Sequence, residues 1–431
     1  MSPPTFHASD YIGAPKRARG GLAFAWLLLF LACLPDAMLP PMLRQIVVER
    51  FGATEAQAHA FMSVNLVGAL LAMPILYGLR RVLSPAILLA VAAAFNAGLL
   101  ALLSRTGDFT AALVLRGLEG AADMTALAVL LHVAARAGSR SGRGRRLGAS
   151  STVLMMGLAA GAVIGGLMGR GGDGGGAQAV GSAGGPDPAT AVLLAGAAAC
   201  AVLAMLAIAG AGLINRTARD GAGSVPPIDA PAAAAPVAGP AARRTLWIPA
   251  LMMGSDRMLA GLLTTTIPLL LATRLEWSPE RIGGMVAVPL LIMAFGAYPA
   301  GLLADRLGNL RTRTLAALVY ALSIAFVPVA GGISTPAMLV TLLVLGFAAA
   351  ALMPTALSMA AGSGRGAAAM GTVQAAGNIG YFAGIAGAGW LLAELGGGGV
   401  PGAATYAMVI EIFALLHVVI TGITLVEGAR R

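Results

Sequence analysis

The sequence is poor in charge. Only 11% of its 431 residues are Asp, Glu, Lys or Arg, aromatic residues make up 5%, and Lys16 is the single lysine, every other basic side chain being arginine. Apolar residues make up 58%, and the mean hydropathy is +0.85. Water cannot solvate such a chain, because a single soluble core stops growing at roughly 250–300 residues. A lone lysine close to the N-terminus excludes a Walker A loop, whose lysine follows its glycines to reach the phosphates, and so excludes an ATPase of that type. The two cysteines, Cys33 and Cys200, both sit in apolar runs, which leaves no disulfide framework and no thiolate metal cluster. No metal-ligand spacing and no nucleophile–base pair stands out. No enzymatic activity, metal or cofactor is expected.

What the chain does have is apolar runs of about 20 residues, the length of a membrane-crossing helix, and not the alternating segments of about 10 that build a barrel. In lipid the backbone must satisfy its own hydrogen bonds, so these runs are helices. Twelve spans are expected, at 21–43, 57–79, 84–104, 109–135, 148–169, 189–214, 245–273, 281–304, 312–332, 335–360, 367–394 and 403–426. The first, preceded by Lys16, Arg17 and Arg19, resembles a signal peptide. No A-x-A cleavage site follows, and the run continues through Asp36 to Leu43, so it is read as a retained helix.

Of the 28 basic residues, Arg116 and Arg257 lie within spans, and six (Arg44, Arg50, Arg105, Arg170, Arg274, Arg281) fall in loops on one side. The remaining twenty lie on the side of the two termini. This is the positive-inside asymmetry, and it predicts that both termini are cytosolic, in the cell's inner membrane. It also accounts for the formal net charge of +10 without nucleic acid as a partner. The expected organisation is a cytosolic tail at 1–19, a six-helix bundle at 20–214, a flexible cytosolic linker at 215–244, a second six-helix bundle at 245–426 and a tail at 427–431. Gly221–Pro240, rich in Ala, Pro and Gly, carries the linker reading; Gly171–Pro188 reads as a flexible hairpin between helices. The halves echo one another: Asp36-Ala37-Met38-Leu39 answers Asp256-Arg257-Met258-Leu259, Gly117 with Met124-Thr125-Ala126-Leu127 answers Gly346 with Met353-Pro354-Thr355-Ala356-Leu357, and Thr152-Val153 with Gly157 answers Thr372-Val373 with Gly377. Three matches in one order indicate a duplicated unit.

Between spans 8 and 9 stands Gly301-Leu-Leu-Ala-Asp305-Arg306-Leu-Gly308-Asn-Leu-Arg311-Thr-Arg313. Two glycines permit a tight turn, the carboxylate can meet a helix N-terminus or an arginine, and the trailing arginines should stay in the cytosol. Span 4 carries Arg116, Glu119, Gly120 and Asp123, with the three charges on one helical face. Span 5 reads Gly157, Gly161, Ala162, Gly165, Gly166, small residues at four-residue spacing that let helices approach closely. Together these segments resemble the major facilitator superfamily: the first its inner-loop signature, the second its span-4 R-x-x-x-G motif, the third its antiporter motif with Ala162 in place of proline. The loop after span 2, Gly78-Leu79-Arg80-Arg81-Val82-Leu83, lacks the acid of the signature. The resemblance covers residues 20–426 and implies an all-α integral membrane fold of twelve transmembrane helices in two pseudo-symmetric six-helix bundles, lining a central cavity with spans 1, 4, 5, 7, 8, 10 and 11.

The function so implied is secondary active transport of a small organic solute by alternating access, driven by protons and tilted toward export. Proton-coupled uptake and a non-transporting membrane sensor of the same fold are the alternatives. The chain is expected to act as a monomer, with the lipid bilayer, the solute and protons as partners. Charge inside a membrane is costly and marks function. Candidates for proton coupling or the substrate cavity are Asp36, Arg116, Glu119, Asp123, Asp256 and Arg257, joined by Gln374 and Asn378 on one face of span 11. Asp36 is the first choice for the coupling acid. Four acids against two arginines hint at a cationic or neutral solute. Glu411 in span 12 has no assigned role.

Overall fold

Helices begin where the sequence supplies both a cap and a stiff first residue. Ser84, Asp187 and Ser278 each precede a proline, and each side chain accepts a hydrogen bond from the backbone N–H three residues on, at Ile87, Thr190 and Arg281. Proline is favourable there because its missing N–H would have had no partner. A computed structural model of the chain describes residues 16–79, 82–137, 143–172, 186–220, 240–361, 366–397 and 399–429, and every regular element among them is helical.

Twelve spans result. They are α1 (Lys16–Ala37), α2 (Glu55–Leu79), α3 (Pro85–Leu103), α4 (Phe109–Arg136), α5 (Arg143–Met168), α6 (Pro188–Ala209), α7 (Pro240–Gly261, continued by Leu262–Thr266 and Ile267–Thr273), α8 (Pro279–Leu307), α9 (Asn309–Ile333), α10 (Thr335–Ala361), α11 (Gly366–Leu395) and α12 (Ala403–Ala429). Ten of these are, taken alone, long and apolar enough to cross a membrane. The other two are α7, broken by a π-helical turn at Leu262–Thr266, and α11, whose apolar character is diluted by glycine, alanine, Gln374 and Asn378. The outer surface is apolar, with Leu71, Ile75, Phe295, Leu322 and Leu415 exposed, and only lipid solvates a surface of that kind. The chain is an integral, multi-pass membrane protein.

Three expected boundaries shift. Span 1 does not give way to a loop after residue 43. It passes through a 3-10 turn at Pro40–Met42 and a π-helical segment at Arg44–Glu49, because two consecutive prolines deprive the α ladder of two donors. Span 7 has a π turn at a corresponding place. Span 6 ends at Ala209, and a separate short helix, Ala211–Asp220, occupies what read as the end of span 6 and the start of the linker. Its polar face is too hydrophilic to continue the span. Its apolar face buries Ile214 and Ala218, and Asn215 accepts a hydrogen bond from the Ala86 N–H at 3.2 Å. Arg80 and Arg81 of the first terminal-side loop, most of the glycine-rich hairpin (173–185) and most of the linker (221–239) lie outside the described residues.

In lipid there is no hydrophobic gain in bringing helices together, so close packing must supply the attraction. Glycines do this within each bundle. A Cβ on Gly157 would lie 2.8 Å from the Phe30 carbonyl oxygen and one on Gly161 2.5 Å from that of Leu34, while Gly165 presses on Met38. This seats α5 on α1. Gly254, Gly261, Gly380 and Gly384 seat α11 on α7 in the same manner. The pairs α1–α5 and α7–α11 are equivalent under the duplication. Between the bundles, contact is carried by α2 with α11 and α5 with α8, again an equivalent set.

Candidate functional site

Lys16 at the start of α1 and Ala429 at the end of α12 lie on one face, since the number of passes is even; it is called here the terminal face. On the opposite face the bundles are sealed together. Glu55 at the start of α2 accepts hydrogen bonds from Arg274 at 2.5 Å and from the Tyr406 hydroxyl at 2.9 Å, and Arg274 lies over the Tyr406 ring. Arg44 donates to the Ala272 carbonyl at 2.7 Å, and Arg170 pairs with Glu280 at 3.1 Å. Deeper in, His59 is fully buried. Its Nδ1 meets the Glu55 carbonyl at 2.8 Å and its Nε2 meets the Thr266 hydroxyl at 3.0 Å. A carbonyl can only accept, so Nδ1 carries the proton and Nε2 accepts from Thr266. Gly166 and Gly389 lie hard against Pro279 and His59 of the other bundle.

Toward the terminal face α5 and α8 stay in contact as far as Thr152, whose hydroxyl donates to the Ala294 carbonyl at 3.2 Å. Beyond it, among the described residues, Gly78 of α2, Gly148 of α5, Gly301 of α8 and Gly371 of α11 have no neighbouring atom within 4 Å of where a side chain would start. The bundles therefore enclose a cleft that is open at the terminal face and closed at the other. One face of α11 is polar: Gln374 and Asn378 are exposed, and the Tyr381 hydroxyl shares a 2.7 Å hydrogen bond with Thr264.

The floor of the cleft on the N-terminal side is a charge cluster. Arg116 is 1% exposed and donates to Asp36 at 2.5 Å and, through its other terminal nitrogen, to Glu119. Asn65 donates to the same Glu119 oxygen at 2.9 Å, and the Phe61 ring lies 5.6 Å from the guanidinium carbon. Asp36, at 37% side-chain exposure, is the edge of the cluster that reaches the cleft. Asp123, one turn nearer the terminal face, is half-buried and makes no hydrogen bond or ion pair among the described residues. The structure thus brings Asp36, Arg116 and Glu119 into contact and leaves Asp123 beside them.

On the C-terminal side the two adjacent candidates separate. Asp256 points away from the cleft and pairs with Arg313 at 2.6 Å. Arg313 is itself 2% exposed and also donates to the Leu352 carbonyl, while His417 packs beside Asp256. This corrects the expectation that the arginines trailing the inner-loop motif stay in the cytosol: α9 begins at Asn309, so Arg313 is already a turn inside the helix, on its buried face. Arg257 turns the other way. Its Cγ lies 3.3 Å from where a side chain on Gly377 would begin, on the α11 face that carries Gln374, Asn378 and Tyr381, and among the described residues its guanidinium touches only the Met353 sulfur, at 4.0 Å.

Asp305, Arg306 and Arg311 of the inner-loop motif are exposed, and Asp305 makes no ion pair among the described residues. Gly308 has φ +88° between α8 and α9, a conformation that glycine adopts without strain. The glycines of span 5 divide: Gly157, Gly161 and Gly165 face α1 and Gly166 faces α8. Glu411 is exposed on α12. The roles of Glu55, His59, Arg274 and Tyr406 escaped the sequence reading, because their partners lie far off in the chain and no local pattern marks them.

Residues 246–427 match the model of the Major Facilitator Superfamily. No curated protein matches. Among solved structures, a bacterial homologue of the human lysosomal transporter Spinster, inward-facing and occupied, is 14% identical with a TM-score of 0.72, and 96% of each chain is covered. The same protein, inward-facing and unoccupied, gives 15% identity and a TM-score of 0.70, again over 96% of each chain. The nucleoside transporter NupG is 14% identical with a TM-score of 0.68, over 94% of this chain and 98% of that one. The C-terminal bundle thus matches the superfamily by sequence, and the whole chain has its fold.

Proposed function

We propose that this chain, a Major Facilitator Superfamily transporter in fold and in its C-terminal sequence, moves a small organic solute across the cell's inner membrane by proton-coupled alternating access. Both termini face the cytosol, and the glycine run of α5 favours export. The observation that carries the reading is the cluster Asp36–Arg116–Glu119, placed at the floor of a cleft that one face opens and the other seals. Burial disfavours a charged carboxylate and a neighbouring guanidinium favours it. Both partners belong to one bundle, so rocking of the bundles opens the cluster as a unit to one face and then to the other, and proton exchange at its acids runs in step with solute access.

The test is transport in proteoliposomes under an imposed pH gradient, with a solute found by a counterflow screen. Asp36→Asn keeps the size and removes the titration. Accumulation against a gradient should vanish, while slow exchange of solute down its own gradient persists. Gradient-driven accumulation by Asp36→Asn would remove this residue from the coupling role. Labelling checks the orientation: Val82→Cys should react from the cytosol, and Val400→Cys from outside.

A further inference from the structure

Among the described residues, Arg257 is the cavity arginine whose charge finds no oxygen acceptor. Arg116 holds two carboxylates and Arg313 holds Asp256. Among the described residues Arg257 has only the Met353 thioether at 4.0 Å, a weak acceptor at a long distance. A guanidinium within a membrane span is costly unless something neutralises it. The groups around it are those of a binding surface. Its stem lies against α11 at Gly377, on the face that carries the exposed Gln374 and Asn378, with the Tyr381–Thr264 hydroxyl pair one turn further on.

We propose that Arg257 is the anchor for an oxyanion on the transported solute, a carboxylate or a phosphate, with Gln374 and Asn378 donating to the rest of the molecule. The planar guanidinium fork fits either group with two parallel hydrogen bonds. The tally of acids and bases that hinted at a cationic solute changes once the fold is known. Asp256 leaves the cavity with Arg313 as its partner, and Asp36 and Glu119 are both engaged by Arg116. The unengaged cation lies on the C-terminal side of the cleft and the unengaged acid, Asp123, on the N-terminal side. Solute binding and proton binding are thereby assigned to different bundles. The inference rests on the transport reading for its cleft, but it makes a separate claim about charge.

Binding, measured without any gradient, separates the two. The purified full chain in detergent is melted in the presence of benzoate, phenyl phosphate, benzamide or benzylamine, and in parallel with gluconate, glucose or glucosamine. Stabilisation by anionic members is expected, with neutral and cationic partners on the same skeletons inactive; benzoate against phenyl phosphate distinguishes carboxylate from phosphate. Arg257→Gln should weaken the anion response at least about tenfold, Arg257→Lys less so, and Glu411→Gln, on the exposed face of α12, should retain it. Preference for the amines, an unchanged response in Arg257→Gln, or no response to any anion overturns the proposal. Anion binding in a protein that fails to accumulate solute under a pH gradient would instead overturn the proton-coupled reading and leave the anchor standing.

Discussion

Glu55 and Arg274 join the two bundles across the closed face, with a carboxylate oxygen 2.5 Å from a guanidinium nitrogen and both side chains largely buried. The pair can exist only while that face is shut. Glu55→Gln removes the charge and keeps the shape, at a cost to the closed state of roughly 1.5–3 kcal/mol, the range for a charged hydrogen bond. That is about a ten- to hundredfold shift of population. Spin labels at Gly148→Cys and Gly301→Cys, both in open positions, should report shorter distances in this variant. An unchanged distribution would show that the pair does not control the seal.

Bulk placed at the seal should act in the same direction. A Cβ on Gly166 would lie 2.5 Å from the Pro279 carbonyl oxygen, so Gly166→Leu prevents closure of that face and should trap the opposite opening. Bulk at Gly148 or Gly301 meets nothing in this state and should hinder closure of the terminal face instead. Paired distance measurements on the two variants should move oppositely. Movement in the same direction would contradict rocking about a central site.

Asp305 offers a control in the other state. It is exposed and makes no ion pair here among the described residues, so Asp305→Asn should leave melting temperature and the label distances of this state unchanged. The motif sits at the terminal ends of α8 and α9, where its carboxylate can latch that face once it closes, so transport turnover should fall in the same variant. Wild-type turnover would dismiss the latch.

Asp256 and Arg313 predict a stability phenotype in place of a transport one. Arg313→Ala leaves a buried carboxylate without its partner, which costs about 3–5 kcal/mol. Asp256→Asn with Arg313→Gln removes both charges and should recover most of the loss, with transport preserved. Thermal melting of the two variants, with transport by the double variant, checks this. A double variant that is stable but uncoupled would return Asp256 to the coupling machinery.

Much of the fold was legible in the chain because lipid imposes a local rule. Each span must be long and apolar and must satisfy its own backbone, so the twelve spans and the duplicated halves can be read along the sequence, and so can the glycine runs that seat α5 on α1. The segments that departed from the reading did so where local chemistry was ambiguous. Pro40-Pro41 could end a helix or divert it into 3-10 and π turns, and residues 211–220 could finish a span or pack as a helix of their own.

The pairing of charges was not legible, and it decides the site. The sequence alone determined that Asp36, Arg116, Glu119, Asp123, Asp256 and Arg257 lie within membrane spans, and that such charges need partners. Arg116 with Glu119 could be foreseen, since three residues on a helix share a face. Only the tertiary structure chose Asp36 for Arg116, Arg313 for Asp256, Arg274 for Glu55, and no acid for Arg257. An ion pair is fixed by separations of a few ångströms between helices that may be hundreds of residues apart. Adjacent residues on a helix point about 100° apart, so a small rotation of α7 settles whether Asp256 or Arg257 faces the cleft. That rotation is set by how Gly254, Gly261, Gly380 and Gly384 let α7 and α11 meet, a property of two surfaces in contact that neither segment specifies alone.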